Sequence, residues 1–403
     1  MSLTISLSLY IILNLVCLYQ FKHKHITISN PMPWIFLGFV DLYTITTIIA
    51  FYFFRFLNIT NDLSSTLTNY YIIQTYVRTS NLSLLTYNIL LAFDPVYKRP
   101  FPEVREYFSR SGRIYFLLLI LIAPVAIYFN AKYNWTTGSR DTVFDSIAAY
   151  CRDWISIIAI YIMLSTQRKY RAVLSLVIVI IIALLSTQRT NLFIIIVGVL
   201  LVNRDDRRAF KVFLVSILFL LIIGSIRNGV PPWNIVYSIV GEGIFGSWGM
   251  YNAIAFFQNN GYYYRNLLRP LNGYINWLLP FAHLPELSTV LADNGINYYP
   301  MGGFFFLSDA YLFNPILGPI IFTVLFHALY KFIFHGIKNA KTEMEKFKYV
   351  VYYCLLFEFI KASQQTFIAM LVFFTISMYL VNWVVITIRT SVKTRELSSR
   401  NWK

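Results

Sequence analysis

The sequence predicts an all-α, polytopic integral membrane protein, and three observations support this prediction. Of the 403 residues, 57% are apolar and only 13% are charged, whereas about 25% are charged in an ordinary soluble domain. The apolar residues gather in runs near the length of about 20 that a helix needs to cross a bilayer. Lys and Arg outnumber Asp and Glu by 34 to 18, mostly in short loops between the runs. The same figures exclude a disordered chain, a coiled coil and a secreted disulfide scaffold.

The apolar runs predict about 11 transmembrane helices in a single membrane domain, residues 1–403. The first has Lys22 and Lys24 after it and no basic residue before it. This order is the reverse of a cleaved signal peptide, so we predict an uncleaved helix with its N-terminus outside. The predicted spans are 3–20, 33–56, 70–93, 114–129, 148–165, 172–186, 191–202, 212–226, 303–334, 349–367 and 368–388.

The basic residues support the alternation of these spans. The segments predicted to lie on the cytoplasmic side hold 24 Lys and Arg, and the segments predicted outside hold 6. This is the asymmetry of membrane proteins, and one missed span would invert every later loop. Because the positive charge is spread over six short loops, it forms no single patch, and we expect no nucleic-acid partner.

Residues 172–202 allow two interpretations, one long helix or a hairpin of two short helices. The hairpin is favoured, because it places the polar tip 186–191 outside and keeps the basic turn after residue 202 on the cytoplasmic side. The sequence Leu-Ser-Thr-Gln-Arg occurs at 164–168 and again at 185–189. Its two arginines lie 21 residues apart, roughly 31 Å along a helix and about one bilayer thickness.

The largest outer segment, 227–302, predicts where the protein works. It contains apolar, aromatic stretches with Trp248 and Trp277. We expect helices that lie on the membrane interface or dip into it. Such a large segment on the outer side favours a functional site on that side.

Four arginines are candidates for binding an anionic substrate. Arg189 lies at the hairpin tip with no acid within ten residues, and a guanidinium there can bind two phosphate oxygens. The alternative is that the Arg189 side chain only extends to the membrane–water interface and binds no substrate. Arg227, Arg265 and Arg269 are the only Lys or Arg residues of the outer segment, and arginine without lysine suits bidentate binding. The alternative for these three is ordinary surface charge.

Three residues are candidates for catalytic acid–base work. Glu242 lies between two glycines, and His283 is followed three residues later by Glu286. Asp309 follows the run Met-Gly-Gly-Phe-Phe-Phe-Leu-Ser, where a glycine pair permits close backbone approach. Each residue also has a non-catalytic interpretation, such as a solvated loop residue or the partner of an arginine.

Other charged residues in the spans have structural interpretations. Glu358 and Lys361 are three apart and predict an ion pair on one helix face. Asp41 is predicted to pair with Arg78 on the next helix. Arg152 and its neighbour Asp153 lie at the rim of a span, where a structural role within the protein and contact with water are equal alternatives.

Familiar catalytic motifs are absent from the sequence. It contains no GxSxG, Walker loop, GxGxxG or HExxH motif. The outer segments contain no cluster of acids and histidines that predicts a cation site. We therefore expect a reaction without a metal and without a cofactor.

Two motifs and the large outer segment together resemble a known family. The motifs are Leu-Ser-Thr-Gln-Arg-Thr-Asn at 185–191 and Met-Gly-Gly-Phe-Phe-Phe-Leu-Ser-Asp-Ala-Tyr-Leu at 301–312. The chain resembles the O-antigen and oligosaccharide repeat-unit polymerases of bacterial envelopes, which are glycosyltransferase C-like membrane enzymes. It departs from their pattern in having Asp309 where Glu is expected, and in lacking an arginine-x10-glycine spacing at the loop arginines.

The resemblance implies a reaction at the periplasmic face of the bacterial inner membrane. A glycan held on undecaprenyl diphosphate is transferred to a hydroxyl of an incoming lipid-linked repeat unit, and undecaprenyl diphosphate leaves. Arg189, Arg227, Arg265 and Arg269 would bind the diphosphate or the glycan, and Glu242, Asp309 or His283 would take the proton. The partners are the lipid-linked oligosaccharide and membrane lipid, and the resemblance leaves open a chain-length regulator protein.

Other functions remain as alternatives. A flippase or other transporter of lipid-linked oligosaccharides explains the spans and buried charges, although the repeated halves of many transporters are not evident. An O-antigen ligase would bind the diphosphate with the same kind of residues and would differ in its acceptor. A membrane acyltransferase is disfavoured because no His-x4-Asp pattern occurs.

Overall fold

The computed structural model shows an all-helical chain. It describes residues 2–28, 30–56, 69–98, 101, 102, 104, 112–132, 143–165, 169–186, 190–202, 206–227, 247, 249–258, 306–361 and 364–400. Within these ranges there is no β-strand, which confirms the all-α prediction.

The helices follow the apolar runs of the sequence. They are α1 (Leu3–His23), α2 (Pro31–Phe56), α3 (Tyr70–Phe93), α4 (Gly112–Lys132), α5 (Val143–Ser165), α6 (Lys169–Ser186), α7 (Thr190–Val202), α8 (Asp206–Arg227), α9 (Phe306–Phe313), α10 (Leu317–Asn339), α11 (Glu343–Leu355), α12 (Phe357–Lys361) and α13 (Gln364–Arg400), with a 3₁₀ turn at Pro95–Lys98. Residues 249–258 are also helical.

Several helices have the character of membrane spans. Five stretches in the described part are long and apolar enough to cross a bilayer, namely Leu3–His23, Pro31–Phe53, Gly112–Ala131, Leu317–Asn339 and Met370–Ile388. Shorter apolar helices cover Tyr170–Ser186, Thr190–Val202 and Phe210–Ile223. These helices support a membrane protein, whereas eleven spans and their orientation stay predictions.

The chain divides into two compact units. Unit 1 comprises Met1–Phe101, Val230–His335 and Leu355–Met370, and unit 2 comprises Pro102–Gly229, Gly336–Cys354 and Leu371–Lys403. Each unit is therefore built from segments that are distant in the sequence. The prediction of a single membrane domain is not tested by this division.

In unit 1, α1 and α3 run parallel and are joined by side-chain amides. The Asn81 amide donates to the Ser6 carbonyl at 2.8 Å, and the Asn88 amide donates to the Leu13 carbonyl at 3.0 Å. Donors and acceptors are both seven residues apart, or two helical turns. Hydrogen bonds of this kind are a recognised source of helix association in membranes.

Unit 1 also contains a helix break that the sequence analysis did not predict. One continuous span was expected where α9 and α10 are separate helices. Pro315 lacks the N–H that would continue the helix, and the Asn314 side chain accepts from the Leu317 N–H at 2.9 Å to begin the next one. A Cβ at Gly318 would lie 1.7 Å from the Ala310 carbonyl oxygen. The close approach of the two helices at the break therefore requires glycine.

In unit 2, α4 and α5 are antiparallel. The rings of Tyr115 and Tyr161 stack with centroids 3.7 Å apart, which joins the start of α4 to the end of α5. At the opposite ends, the Asn130 amide donates to the Ala148 carbonyl at 3.2 Å. Helix α6 starts beside the start of α4, because the Phe116 and Tyr170 rings are in contact.

Helix α7 runs parallel to α5. Its start lies at Ser156, whose hydroxyl accepts from the Asn191 amide at 3.0 Å, and further along, Gly198 faces Ile160. Since α6 begins where α5 ends and α7 begins beside the first half of α5, α6 and α7 run in opposite directions. The predicted hairpin over 172–202 is thus confirmed, and one long helix is excluded.

Candidate functional site

The first turn of α7 is fixed by the carboxamide of Asn191, the last residue of the arginine motif. This side chain is buried, and both its nitrogen and its oxygen form hydrogen bonds. Its nitrogen donates to Asp153 Oδ1 at 2.7 Å and to the Ser156 hydroxyl at 3.0 Å. Its oxygen accepts from Arg152 Nε at 3.1 Å. The start of α7 is therefore held in register on α5.

Arg152 extends this arrangement to a third helix. One of its terminal nitrogens donates to the side-chain oxygen of Asn130 at 3.4 Å, near the end of α4. Asn130 is oriented in turn, because its amide donates to the Ala126 and Ala148 carbonyls at 2.8 and 3.2 Å. We call Asn130, Arg152, Asp153, Ser156 and Asn191 the Arg152 network.

The burial of Arg152 gives the network its physical character. Only 6% of Arg152 is exposed, and a guanidinium taken out of water requires hydrogen-bond acceptors. The Asn130 and Asn191 oxygens supply them, and five donors in a rigid fork let one arginine bridge two helices. Of the two alternatives for Arg152, the structure excludes contact with water. The available signal was Asn130 and Asn191, two carboxamides at the ends of apolar runs.

Asp309 is the one predicted site residue whose side chain the structure describes. It lies on α9, where all eight residues from Phe306 to Phe313 are buried. Asp309 itself is 2% exposed, and a carboxylate at that depth is held by protein groups and not by bulk water. Its predicted depth below the outer rim of the span stays a prediction.

The remaining predicted residues are not brought together by the described part of the chain. Arg227 is the last residue of α8, but its side chain lies outside the description. The other predicted residues, Arg189, Glu242, Arg265, Arg269 and His283, also lie outside the described residues.

The two predicted ion pairs have different outcomes. Lys361 and Glu358 are 3.3 Å apart on α12, which confirms that pair. The predicted Asp41–Arg78 pair was wrong, since Asp41 instead accepts a hydrogen bond from the Tyr10 hydroxyl of α1. A phenol stabilises a carboxylate without adding a second charge to the bundle.

A second polar network closes one end of unit 1, centred on Asp94. Lys331 Nζ and His327 Nε2 donate to Asp94 Oδ2 at 2.8 and 2.9 Å, and the Tyr97 hydroxyl lies 2.9 Å from His327 Nδ1. Burial alone raises the pKa of the Asp94 carboxyl. Hydrogen bonds from Lys331, the Val96 N–H and His327 outweigh burial and lower this pKa to about 2. We call Asp94, Tyr97, His327 and Lys331 the Asp94 network.

Within the described ranges, no three or more His, Cys, Asp and Glu side chains are grouped to hold a metal ion. Comparisons with protein-family models, with curated proteins and with solved structures give no match. The resemblance to the O-antigen polymerases therefore depends on the two sequence motifs and the order of the segments.

Proposed function

We propose that the protein is an O-antigen polymerase of the bacterial inner membrane, with about 11 spans and its active site facing the periplasm. The observation that carries the proposal is the Arg152 network, which fixes the start of α7. Arg189 precedes this start by one residue. A well-positioned arginine is what the binding of a diphosphate leaving group requires.

The proposed reaction is a substitution at the reducing-end sugar of the growing glycan. A hydroxyl oxygen of the incoming repeat unit forms a bond to the anomeric carbon. The bond from that carbon to the diphosphate oxygen breaks, and undecaprenyl diphosphate leaves with the electron pair. The hydroxyl proton passes to a base, for which Asp309, Glu242 and His283 are the candidates.

The arginines act on the leaving group in this scheme. Negative charge grows on the bridging phosphate oxygen as the bond breaks, and guanidinium groups stabilise that charge. Arg189 is assigned to this task, together with Arg227, Arg265 and Arg269 of the outer segment. The polyprenyl chains lie against the apolar helices, consistent with exposed residues such as Ile11, Leu15 and Trp383 on α1 and α13.

The experiment that tests this proposal is polymerisation by purified protein in detergent. The substrate is a lipid-diphosphate-linked repeat unit without divalent metal, and the products are separated on a gel. We expect a ladder of lengthening glycans from the wild type. Arg189→Ala is expected to lower the rate roughly 100-fold, the effect of removing one donor to a developing oxyanion.

The matched control is Arg113→Ala. Arg113 is an exposed arginine at the start of α4, about 26 Å along that helix from Asn130. This variant is expected to retain the ladder. Equal activity of both variants would remove Arg189 from the reaction. A wild type that polymerises nothing would overturn the proposed function, and lipid A core would then be tried as the acceptor of a ligase.

A flippase is the second candidate, and one feature of unit 1 favours it. Helices α9 and α10 are discontinuous around Asn314 and Pro315, and broken helices are frequent at transporter binding sites. Half-buried Asp41 and buried Glu358 add carboxylates within predicted spans, and such groups typically mark transport routes or structural pairs. Movement of the lipid-linked oligosaccharide across proteoliposomes without a glycan ladder would establish this alternative.

A further inference from the structure

Helices α9 and α10 form a tight hairpin. The Phe306 and Phe322 rings contact each other with centroids 6.3 Å apart, although 16 residues of continuous helix would separate them by about 24 Å. The Ala310 carbonyl likewise lies against Gly318. The chain therefore reverses direction between the two helices, and we call residues 314–319, Asn-Pro-Ile-Leu-Gly-Pro, the hairpin tip.

The hairpin tip satisfies its own backbone N–H groups. The Ile316 and Leu317 N–H groups both donate to Asn314 Oδ1 at 2.9 Å. The Gly318 N–H donates to the Asn314 carbonyl at 2.9 Å, and the Asn314 N–H donates to the Ala310 carbonyl at 3.1 Å. The other two residues of the tip are prolines, which have no N–H. A helix start often leaves such donors to water, whereas this one requires no water for them.

The exposed side chains of the hairpin tip are apolar. Ile316 is 63% exposed and Leu317 is 53% exposed. They begin a stripe along α10 that continues through the exposed side chains of Val324, Leu325 and Phe332. Leu317 and Val324 are seven residues apart, as are Leu325 and Phe332, which is about two helical turns and keeps each pair on one face. The tip and the exposed face of α10 thus present one continuous apolar surface.

The length of α10 indicates how deep the hairpin tip lies. Lys331 is the first Lys, Arg, Asp or Glu residue of α10, and it donates to Asp94, which is predicted to lie on the cytoplasmic side. From Lys331 back to Leu317 is 14 residues, or about 21 Å of helix, whereas the hydrocarbon core is about 30 Å thick. With Lys331 at one surface, the tip does not reach the other surface and stays within the hydrocarbon.

We propose that the hairpin tip is embedded in the bilayer, where Ile316 and Leu317 contact lipid acyl chains. Irregular backbone is excluded from hydrocarbon because its polar groups find no partner there, and Asn314 removes this obstacle for the N–H groups of the tip. Helix α9 has eight residues and is about 12 Å long, so it is a half-helix that ends inside the membrane. This inference does not depend on the proposed polymerase activity.

The first test measures the depth of residue 316 in proteoliposomes. A nitroxide spin label is attached to Ile316→Cys in a Cys151→Ser background, since Cys17 and Cys354 are completely buried. Relaxation of the label by oxygen, which concentrates in hydrocarbon, is compared with relaxation by a water-soluble nickel complex. We expect oxygen to relax the label strongly and the nickel complex to have almost no effect.

Two further labelled positions on α10 calibrate this measurement. Val324→Cys lies on the exposed apolar face of α10 and is expected to give the same result as Ile316→Cys. Asn339→Cys is at the exposed last residue of α10 and is expected to respond to the nickel complex.

The second test exchanges the residue that caps α10. Asn314→Asp keeps an oxygen that accepts from both N–H groups but adds a negative charge. A charge in hydrocarbon is costly, so the melting temperature in lipid nanodiscs is expected to fall by roughly 5–10 °C. The matched control is Asn69→Asp, because Asn69 is the exposed N-cap of α3 and accepts from the Tyr71 N–H at 2.9 Å. Asp and Asn are equivalent caps in water, so the control is expected to melt like the wild type.

Either measurement can overturn the inference. If the nickel complex relaxes the label at residue 316 as strongly as the label at residue 339, the hairpin tip is a surface turn in water. If Asn314→Asp melts at the same temperature as Asn69→Asp, the tip does not lie in hydrocarbon. Should Asn314→Asp fail to fold, the spin label alone decides. The presence or absence of a glycan ladder changes neither result.

Discussion

The Arg152 network of unit 2 and the Asp94 network of unit 1 both hold a charged side chain within the protein, but with different kinds of hydrogen-bond partner. Each holds an ionised side chain, buried Arg152 or half-buried Asp94, and joins elements distant in sequence. Asp94 receives hydrogen bonds from Lys331 and His327, so its charge meets a cation. Among the described contacts, Arg152 donates to two neutral amide oxygens. The Asp94 network thus joins elements of unit 1, whereas the Arg152 network also fixes the first turn of α7 through Asn191.

The largest effect is expected from breaking the Arg152 network. Arg152→Ala leaves the oxygens of Asn130 and Asn191 without this donor in a buried place, and we expect about 3 kcal/mol of destabilisation. Arg152→Lys should recover only part of it, because an ammonium cannot reproduce the fork of a guanidinium. Thermal unfolding in detergent measures the change, with Arg113→Ala as the exposed control. Equal stability of Arg152→Ala and Arg113→Ala would contradict the importance of the network.

An intermediate effect is expected from acidifying the Asp94 network. Its folded-state pKa of about 2 lies below the ordinary value of about 3.9. The stabilisation is therefore complete above pH ~4 and is lost as the pH falls toward 2. Unfolding curves from pH 5 to pH 2 should show this loss in the wild type.

Asp94→Asn distinguishes this carboxylate from the other acids of the chain. The variant is expected to be less stable than the wild type by about 2 kcal/mol at pH 7 and to show a weaker dependence on acid. Lys331→Ala should cost less, since 44% of the lysine side chain is exposed and exposed pairs contribute little. Parallel acid profiles for wild type and Asp94→Asn would refute the assignment.

The smallest effect is expected from the neutral contacts between α1 and α3, which set the scale for the two charged networks. Asn81→Ala removes one amide donor to a carbonyl, and interhelical hydrogen bonds in membranes contribute about 0.6 kcal/mol. Ser83→Ala, two residues away on the same helix, is the control. A loss as large as that of Arg152→Ala would show that neutral and charged networks cannot be told apart by stability.

The sequence predicted the helices well because hydropathy determines them locally. Apart from residues 314–316 and Leu356, the described residues of the eleven predicted segments are helical. The hairpin of α6 and α7 was predicted from a short polar tip and the charge of the next turn. The break before α10 had a signal in Asn314 and Pro315, but a proline in a long apolar run does not by itself decide between a kink and two helices.

The polar contacts were harder to predict, because they depend on which helix faces which. Glu358 and Lys361 share one helix, so their pair follows from spacing alone. Asp41 had several potential partners, and Tyr10 was selected by packing. The burial of Arg152 likewise required the positions of α4 and α7. Five of the seven candidate site residues lie outside the described part of the chain.

The parallel pairing of α1 and α3 has a consequence for biogenesis. If α1 and α3 both span the bilayer as predicted, α1 is synthesised first, so the Ser6 and Leu13 carbonyls that accept from α3 are in place before Asn81 and Asn88 are made. Each of the two carbonyls accepts from α3 with a second lone pair, so it is not destabilised before the α3 carboxamides are made. The two carboxamides of α3, in contrast, would enter lipid unpaired without α1 beside them. In that case α1 would serve as an insertion partner for α3, and the order of translation would match the order in which acceptors are needed.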